Sequence, residues 1–172
     1  MEWRLRRAGP ADAEAAGMVA TASFVTAFYD DLAIADLIAH VAANCSAARF
    51  ATWFADGETV VTLAEHPKTG VPIGYTVLTA PDLPGDLRTG DVELRRIYLL
   101  PMAWGTTLAA DLLARAIDDA RARRGDRILL GVYGRNFRAH RFYEKHGFQQ
   151  VGTRQFMVGE TLHDDFVYAR AI

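Results

Sequence analysis

The spacing of hydrophobic and polar residues changes several times along the chain, and each change marks a new element. Trp3 to Arg7 is a short alternating run that predicts a strand. Pro10-Ala11-Asp12-Ala13-Glu14 puts a proline and two acids where a first helical turn accepts them, and an Ala-rich helix runs on toward Phe28. Leu32 to Cys45 predicts a second helix, and Ala47 to Phe54 a further turn or two. After Asp56-Gly57 the period becomes that of a strand: Thr59 to Ala64 is short and β-branched, His66 to Gly70 is a turn, and Val71 to Leu78 returns as the partner strand of a hairpin.

A Pro- and Gly-rich loop from Pro81 to Gly90 leads into Val92 to Leu100, a strand stopped by Pro101. Thr106 to Arg123 is an amphipathic helix with Leu108, Leu112, Leu113, Ala116 and Ile117 on one stripe, broken at Gly125-Asp126. Ile128 to Tyr133 reads as a buried strand and Asn136 to His146 as a helix closed by Gly147. Phe148 to Ile172 reads as two strands joined near Gly159 to His163. The order β-α-α-β-β-β-α-β-α-β-β predicts an α/β (α+β) domain with a mixed sheet, occupying residues 1–172 as one unit.

Composition narrows the function classes. With 51% hydrophobic and 23% charged residues in 172, the chain can bury a full core. A formal net charge of −2 removes the field on which non-specific nucleic-acid or anionic-membrane binding relies. The single cysteine, Cys45, excludes a disulfide framework and reads as a small, half-buried apolar residue. No apolar run approaches the roughly 18 residues of a membrane span, and the N-terminal segment lacks a signal-peptide pattern, so a cytoplasmic location is expected. There is no dinucleotide-binding GxGxxG after a strand, no P-loop and no GxSxG, and the five histidines lack metal-ligand spacing; no metal is expected.

Two clusters remain. From Val92 to Ala109 a strand ends, a tight turn follows and a helix begins, exposing free amides and the positive end of a helix dipole, a geometry suited to a pyrophosphate. Gly105 permits close backbone approach and Thr106 and Thr107 add hydroxyls, although simple capping of the helix accounts for the same residues. The second cluster, Asn136 to Phe148, places Ala139, Phe142 and Tyr143 on an apolar face before the Gly147 cap.

Taken together, the clusters resemble the GNAT superfamily of acetyl-CoA-dependent N-acetyltransferases over essentially the whole chain. Asn136 to Phe148 is similar to the family's N-x-x-A-x-x-F-Y-x-K-x-G-F. Trp104 to Ala109 falls on its pyrophosphate loop, Q/R-x-x-G-x-G/A, with Trp104 replacing Gln or Arg and Thr107 replacing the first Gly. Within the superfamily, Ser23 to Phe28, Glu93 to Tyr98 and Phe156 to Gly159 resemble the bacterial spermidine/spermine acetyltransferases. The resemblance implies a mostly antiparallel sheet of about seven strands flanked by helices, acetyl-CoA as co-substrate and a small amine, such as a polyamine, as acceptor. It also implies pairing into a homodimer through the last strands.

It further implies a role for each matching residue. An alkyl amine with a pKa of about 10.4 must lose a proton before it attacks a thioester, and Glu93 stands where many members carry their base. On simple alternation Glu93 shares a strand face with Arg95, Ile97 and Leu99, and a solvent-facing glutamate paired with an arginine is the competing reading. Tyr143 matches the general acid that would protonate the departing thiolate, since a free thiol and a free phenol titrate at about 8.5 and about 10; a packed helix tyrosine is its alternative. The pantetheine arm would run along Ile97, Tyr98 and Leu99, with a backbone N–H near Leu99 meeting the oxyanion. Diphosphate contacts would come from Gly105, Thr106, Thr107, Leu108, Ala109 and Ala110, helped by Asn136 and Lys145. Phe24, Phe28 and Tyr29 would wall the acceptor site, unless they are core.

Thr107 at a glycine position would crowd the pyrophosphate and restrict φ, yet its hydroxyl could donate to phosphate. Two alternatives to small-amine acetylation follow: transfer to a peptide or protein amine, and a non-catalytic CoA-binding module.

Overall fold

The computed structural model describes residues 2–158 and 161–172, so the Gly159 end of the expected closing turn lies outside the described residues. The elements are β1 (Arg4–Arg7), α1 (Ala13–Phe28), α2 (Ile34–Asn44), α3 (Ala47–Ala55), β2 (Val60–Glu65), β3 (Pro72–Thr79), β4 (Asp91–Leu99), α4 (Leu108–Ala122), β5 (Arg127–Tyr133), α5 (Phe137–Lys145), β6 (Gln149–Val158) and β7 (Thr161–Ala171). Three helices, not two, separate β1 from β2. The third begins where Ser46 Oγ accepts the Arg49 amide as an N-cap, and it runs to Ala55 because Phe50 and Trp53 bury its inner face.

All seven strands form one sheet in the order β1-β2-β3-β4-β5-β7-β6. Every neighbouring pair is antiparallel except β4 with β5. The pleat divides the core. Val61, Leu63, Tyr75 and Val77 pack with Ala16, Val19 and Phe24 of α1 and Phe50 and Trp53 of α3. Val60, Leu78, Val92, Leu94, Ile128 and Leu130 pack with Leu113, Ala116 and Ile117 of α4 and Tyr143 of α5. Val60 and Val61 fall into different clusters because successive strand residues point to opposite faces, so the helices cover both sides of the sheet.

Two irregularities in β4 shape its centre. Val77 pairs with Arg96 but Leu78 pairs with Leu94, which leaves Arg95 as an extra residue in a β-bulge. The bulge corrects the simple alternation. Glu93 shares its face with Arg96 and Tyr98, whereas Leu94, Ile97 and Leu99 point to the α4 side, where they pack. In addition, β4 and β5 pair only through Asp91–Arg127, Val92–Ile128 and Glu93–Leu129. Beyond Glu93 the two strands continue unpaired with each other, to Leu99 and Tyr133, and a V-shaped opening lies between them.

A buried ion pair closes the narrow end of the V. Arg127 donates from Nε to Asp91 Oδ1 at 2.8 Å and from Nη2 to Oδ2 at 2.6 Å, and the Arg88 amide adds a bond to Oδ2 at 2.7 Å. Bonding to Arg127, ahead of every other cause, holds the Asp91 carboxyl below the usual aspartate range. Its contribution to stability is therefore present above the unfolded pKa and lost as pH falls through the folded one. Asp91→Asn removes the charge that Arg127 faces and is expected to cost about 3 kcal/mol in urea unfolding at neutral pH. The wild-type advantage should shrink in acid, and a cost below about 1 kcal/mol would show that the clamp does not hold the pair.

Candidate active site

The α4 side of the V opens into a groove of about 530 Å³. Its walls are the backbone from Leu94 to Leu99, the turn from Ala103 to Thr107, Ala109 and Ala110 of α4, Val132 and Tyr133 of β5, and Asn136, Arg138, Tyr143 and Lys145 at α5. Leu100 N–H donates to Ile73 O on β3, and neighbouring residues of an extended strand turn their polar groups opposite ways. Ile97 and Leu99 therefore present backbone to the groove, and the Trp104 indole N–H meets Leu99 O at 3.2 Å. Tyr98 turns its backbone toward β3 and its ring to the other face of the sheet, against Tyr75 and Phe24.

The turn before α4 leaves four donors free. The amides of Gly105, Thr107, Ala109 and Ala110 donate to no group among the described residues, and they stand at a helix N-terminus where the dipole favours an anion. Gly105 has φ +75°, a left-handed conformation that glycine adopts without strain. Thr107 sits at φ −79°, ψ −6°, an ordinary helical conformation, so the glycine found there in relatives of the motif is not required by this backbone. Neither threonine hydroxyl faces the groove freely. Thr106 Oγ1 donates to Ala103 O at 2.7 Å and accepts the Leu108 amide at 3.3 Å, while Thr107 Oγ1 donates to Asp111 at 3.1 Å. Leu108 itself is corrected from a phosphate contact to a core residue, with its amide capped and its side chain fully buried.

At Trp104 an aromatic ring replaces the motif's polar side chain, and the guanidinium of Arg138 lies 4.2 Å over that ring. A cation thus stands at the mouth of the turn, brought from α5 by stacking. Asn136 caps α5 by accepting the Ala139 amide on Oδ1 at 3.1 Å, which leaves Nδ2 for the groove; Lys145 is exposed at its rim. These donors, the dipole and the amide-lined turn fit the diphosphate and pantetheine of coenzyme A.

On the other face of the sheet lies a smaller pocket of about 150 Å³. Phe24, Phe28, His40, Tyr75, Tyr98 and Phe156 give it aromatic walls, and Glu93, Arg95, Arg96, Arg154, His163 and Asp165 give it charge and polarity. Phe24 stacks on His40 with centroids 3.9 Å apart, and Tyr75 stacks on Tyr98 at 6.0 Å. Burial, with a smaller contribution from Arg96, pulls the His40 imidazole down to about 4, so it is neutral at pH 7. Arg154 crosses above Gly131 of β5 to reach Asp165 at 3.2 Å; a β-carbon at Gly131 would lie 2.5 Å from the guanidinium, so a side chain there would displace Arg154 from this path. Cavity and groove share Phe28, Arg95, Arg96, Tyr98, Gly131 and Tyr133, and so meet at the V.

Glu93 is buried on the cavity side. Leu83 anchors the preceding loop among Leu129, Val167 and Ala169, which brings the Asp82 amide to Glu93 Oε2 at 2.8 Å. Arg95 is 3.7 Å from the same oxygen, and Oε1 takes no hydrogen bond among the described residues. Burial raises the Glu93 pKa above the ordinary glutamate value, against the opposing pull of the Asp82 amide and Arg95. The competing expectation of a solvent-facing glutamate is thereby corrected, because the side chain is buried. Tyr143 lines the groove, its ring packed edge-on to Phe142 and Phe148, and its hydroxyl has no hydrogen-bond partner among the described residues. Burial, and then Tyr98, push its pKa above the usual phenol range.

Of the expected acceptor walls, Phe24 and Phe28 line the cavity, but Tyr29 is corrected: it is 65% exposed at the end of α1 and borders neither opening. Arg96, Arg154, Asp165, His40, Tyr75 and Arg138 were not expected from the sequence. The available signal was Arg95-Arg96, two adjacent arginines in the middle of a strand.

The profile of the Acetyltransferase (GNAT) family matches residues 23–148. Uncharacterized N-acetyltransferases of Mycobacterium tuberculosis and Mycobacterium bovis are 37% identical over 161 residues, covering 94% of this chain and 98% of theirs. The PaiA N-acetyltransferase of Thermoplasma acidophilum, solved with coenzyme A, superposes with a TM-score of 0.82 over 100% of both chains at 19% identity. A GCN5-related N-acetyltransferase from Rhodopseudomonas palustris gives 0.76 at 19% identity, over 100% of this chain and 97% of its own. The chain belongs to the GNAT family of acetyltransferases.

Proposed function

We propose that the protein transfers the acetyl group of acetyl-CoA to a small primary amine that enters the Glu93 cavity. The observation that carries this reading is the meeting, at the V between β4 and β5, of an amide-lined groove with a smaller cavity holding a buried carboxylate. The co-substrate supplies an activated acetyl thioester. The free amides of Gly105, Thr107, Ala109 and Ala110, with Arg138, Asn136 and Lys145, bind its phosphates, and the exposed backbone of Ile97 and Leu99 orients its arm and offers the Leu99 N–H to a developing oxyanion.

Glu93 Oε1 accepts the proton that the ammonium must lose. A carboxylate with a raised pKa holds a transferred proton better than an ordinary glutamate, which lowers the cost of deprotonating an amine. Tyr143 keeps its proton throughout the physiological range. Its raised pKa makes full transfer to a thiolate less favourable than it would be from an ordinary phenol, so the hydroxyl acts chiefly as a hydrogen-bond donor to the charge that develops on sulfur. The cavity volume favours a small amine over a protein side chain. The polyamine acceptor implied by the sequence resemblance would enter a cavity with three arginines on its walls.

Acetyl-CoA-dependent thiol release across a panel of amines tests the reading, and absence of release with every amine would overturn it. Glu93→Gln is expected to lower kcat/KM about 10²- to 10⁴-fold. In the wild type kcat/KM should fall toward acid with a limb above the ordinary glutamate pKa of about 4.3, and that limb should be missing from Glu93→Gln. The same variant is expected to unfold at higher temperature than the wild type at pH 7. A raised folded pKa means that Glu93 adds stability below the unfolded pKa and loses it as pH rises through the folded value. Equal melting temperatures at pH 7 would argue against a strained carboxylate. Tyr143→Phe is expected to lower kcat about 100-fold, and an unchanged rate would remove Tyr143 from the chemistry.

A further inference from the structure

The carboxylates around the acceptor cavity are unevenly shared among its arginines. Three guanidinium groups, Arg95, Arg96 and Arg154, face two carboxylates, Glu93 and Asp165. Arg154 is neutralised by Asp165 through bonds of 3.2 and 3.3 Å to one oxygen. Arg95 lies between Glu93 at 3.7 Å and Asp82 at 3.5 Å. Arg96 has no carboxylate within ion-pair distance among the described residues; it donates to the Asn44 carbonyl at 2.6 Å and rests 4.8 Å from the centre of the Trp53 ring.

Its surroundings add to the positive field. Arg49 lies 4.6 Å from the centre of the same Trp53 ring, and its buried Nε has no hydrogen-bond partner among the described residues. Burial first, and then Arg95 and Arg96, lower the Arg49 pKa, as expected where cations crowd without enough anions. Across the cavity, His163 Nε2 is also buried with no partner among the described residues. Arg96 is therefore left without a carboxylate and His163 Nε2 without a hydrogen-bonding group among the described residues, and the cavity is about the size that holds a benzene ring. A polycation would set ammonium groups beside arginines, whereas a carboxylate would supply what is missing. A guanidinium fork also matches a carboxylate in shape.

We propose that the acceptor is a small amino acid, a primary amine carrying its own carboxylate, which binds with that carboxylate on Arg96 and its amine at Glu93. The assignment rests on the acetyltransferase reading and narrows its substrate class. Glu93 and Arg96 share one face of β4 and are separated by about two strand rises once the bulge is taken out, roughly 7 Å. Ligands whose amine and carboxylate are close together, and those with a few carbons between them, both belong in the test.

The experiment is thiol release with matched sets: α- and ω-amino acids, the carboxamide and the decarboxylated amine of each, and spermidine as the polycation. For the best set, kcat/KM of the amino acid should exceed that of its carboxamide by about 10- to 100-fold, mainly through KM. Arg96→Gln should bring that ratio close to one and Arg96→Lys should keep part of it. If spermidine, carboxamides or decarboxylated amines are acetylated as well as the amino acids by the wild type, the proposal is overturned while the acetyltransferase reading stands; this arm needs no variant. A folded Arg96→Gln that keeps the full ratio overturns it too. Should no amine of any kind elicit thiol release, the acetyltransferase reading falls and takes this proposal with it.

Discussion

The β4–β5 pairing is the constraint on which the rest depends. Two parallel strands joined for three residues and then parted leave backbone donors and acceptors unpaired in the middle of a sheet, where such groups are costly. The Asp91–Arg127 pair holds the closed end, the Arg95 bulge turns β4 as it leaves, and core packing continues on both sides so that the gap cannot simply zip shut. Its exposed edge is partly satisfied from within, by the Trp104 indole on Leu99 O, and the remainder is available to an extended ligand. A mixed sheet with one parallel pair at its centre thus becomes a channel between its two faces.

Electrostatics then give the two faces different tasks. On the α4 side the donors are backbone amides, a dipole and exposed cations, a combination suited to phosphate groups in contact with water. On the α1 side the charged groups are enclosed among aromatic rings, which raises the cost of every unpaired charge and sharpens discrimination between ligands. Glu93 is held at the junction by a loop amide and one arginine, enough to keep the carboxylate in place without quenching its basicity. Tyr143 lines the groove on the opposite face, surrounded by rings rather than hydrogen-bonding partners among the described residues, and burial keeps its phenol protonated.

Much of this was legible in the sequence. Alternation and helical spacing locate each element to within a few residues, because faces that must be buried leave regular patterns. Asn136 to Phe148 is readable since its cap, apolar face and terminal glycine are local features. What was not legible is non-local. A bulge depends on the partner strand, so plain alternation sets Glu93 with Ile97 and Leu99 instead of with Arg96 and Tyr98. Tyr29 follows Phe28 in the chain but points outward from the end of its helix. Leu108 belongs to the turn before α4 by position and to the core by direction. Thr107 at a glycine position is harmless at its helical φ, which the sequence does not reveal, and the Arg138–Trp104 stack joins residues at the starts of two different helices.

Whether the splayed strands and the α4 turn hold acetyl-CoA despite Trp104 and Thr107 is decided by calorimetric titration of the protein with acetyl-CoA, at physiological salt and without acceptor. Saturable binding at micromolar ligand is predicted; no heat of binding at millimolar ligand would mean that the turn before α4 does not hold the cofactor.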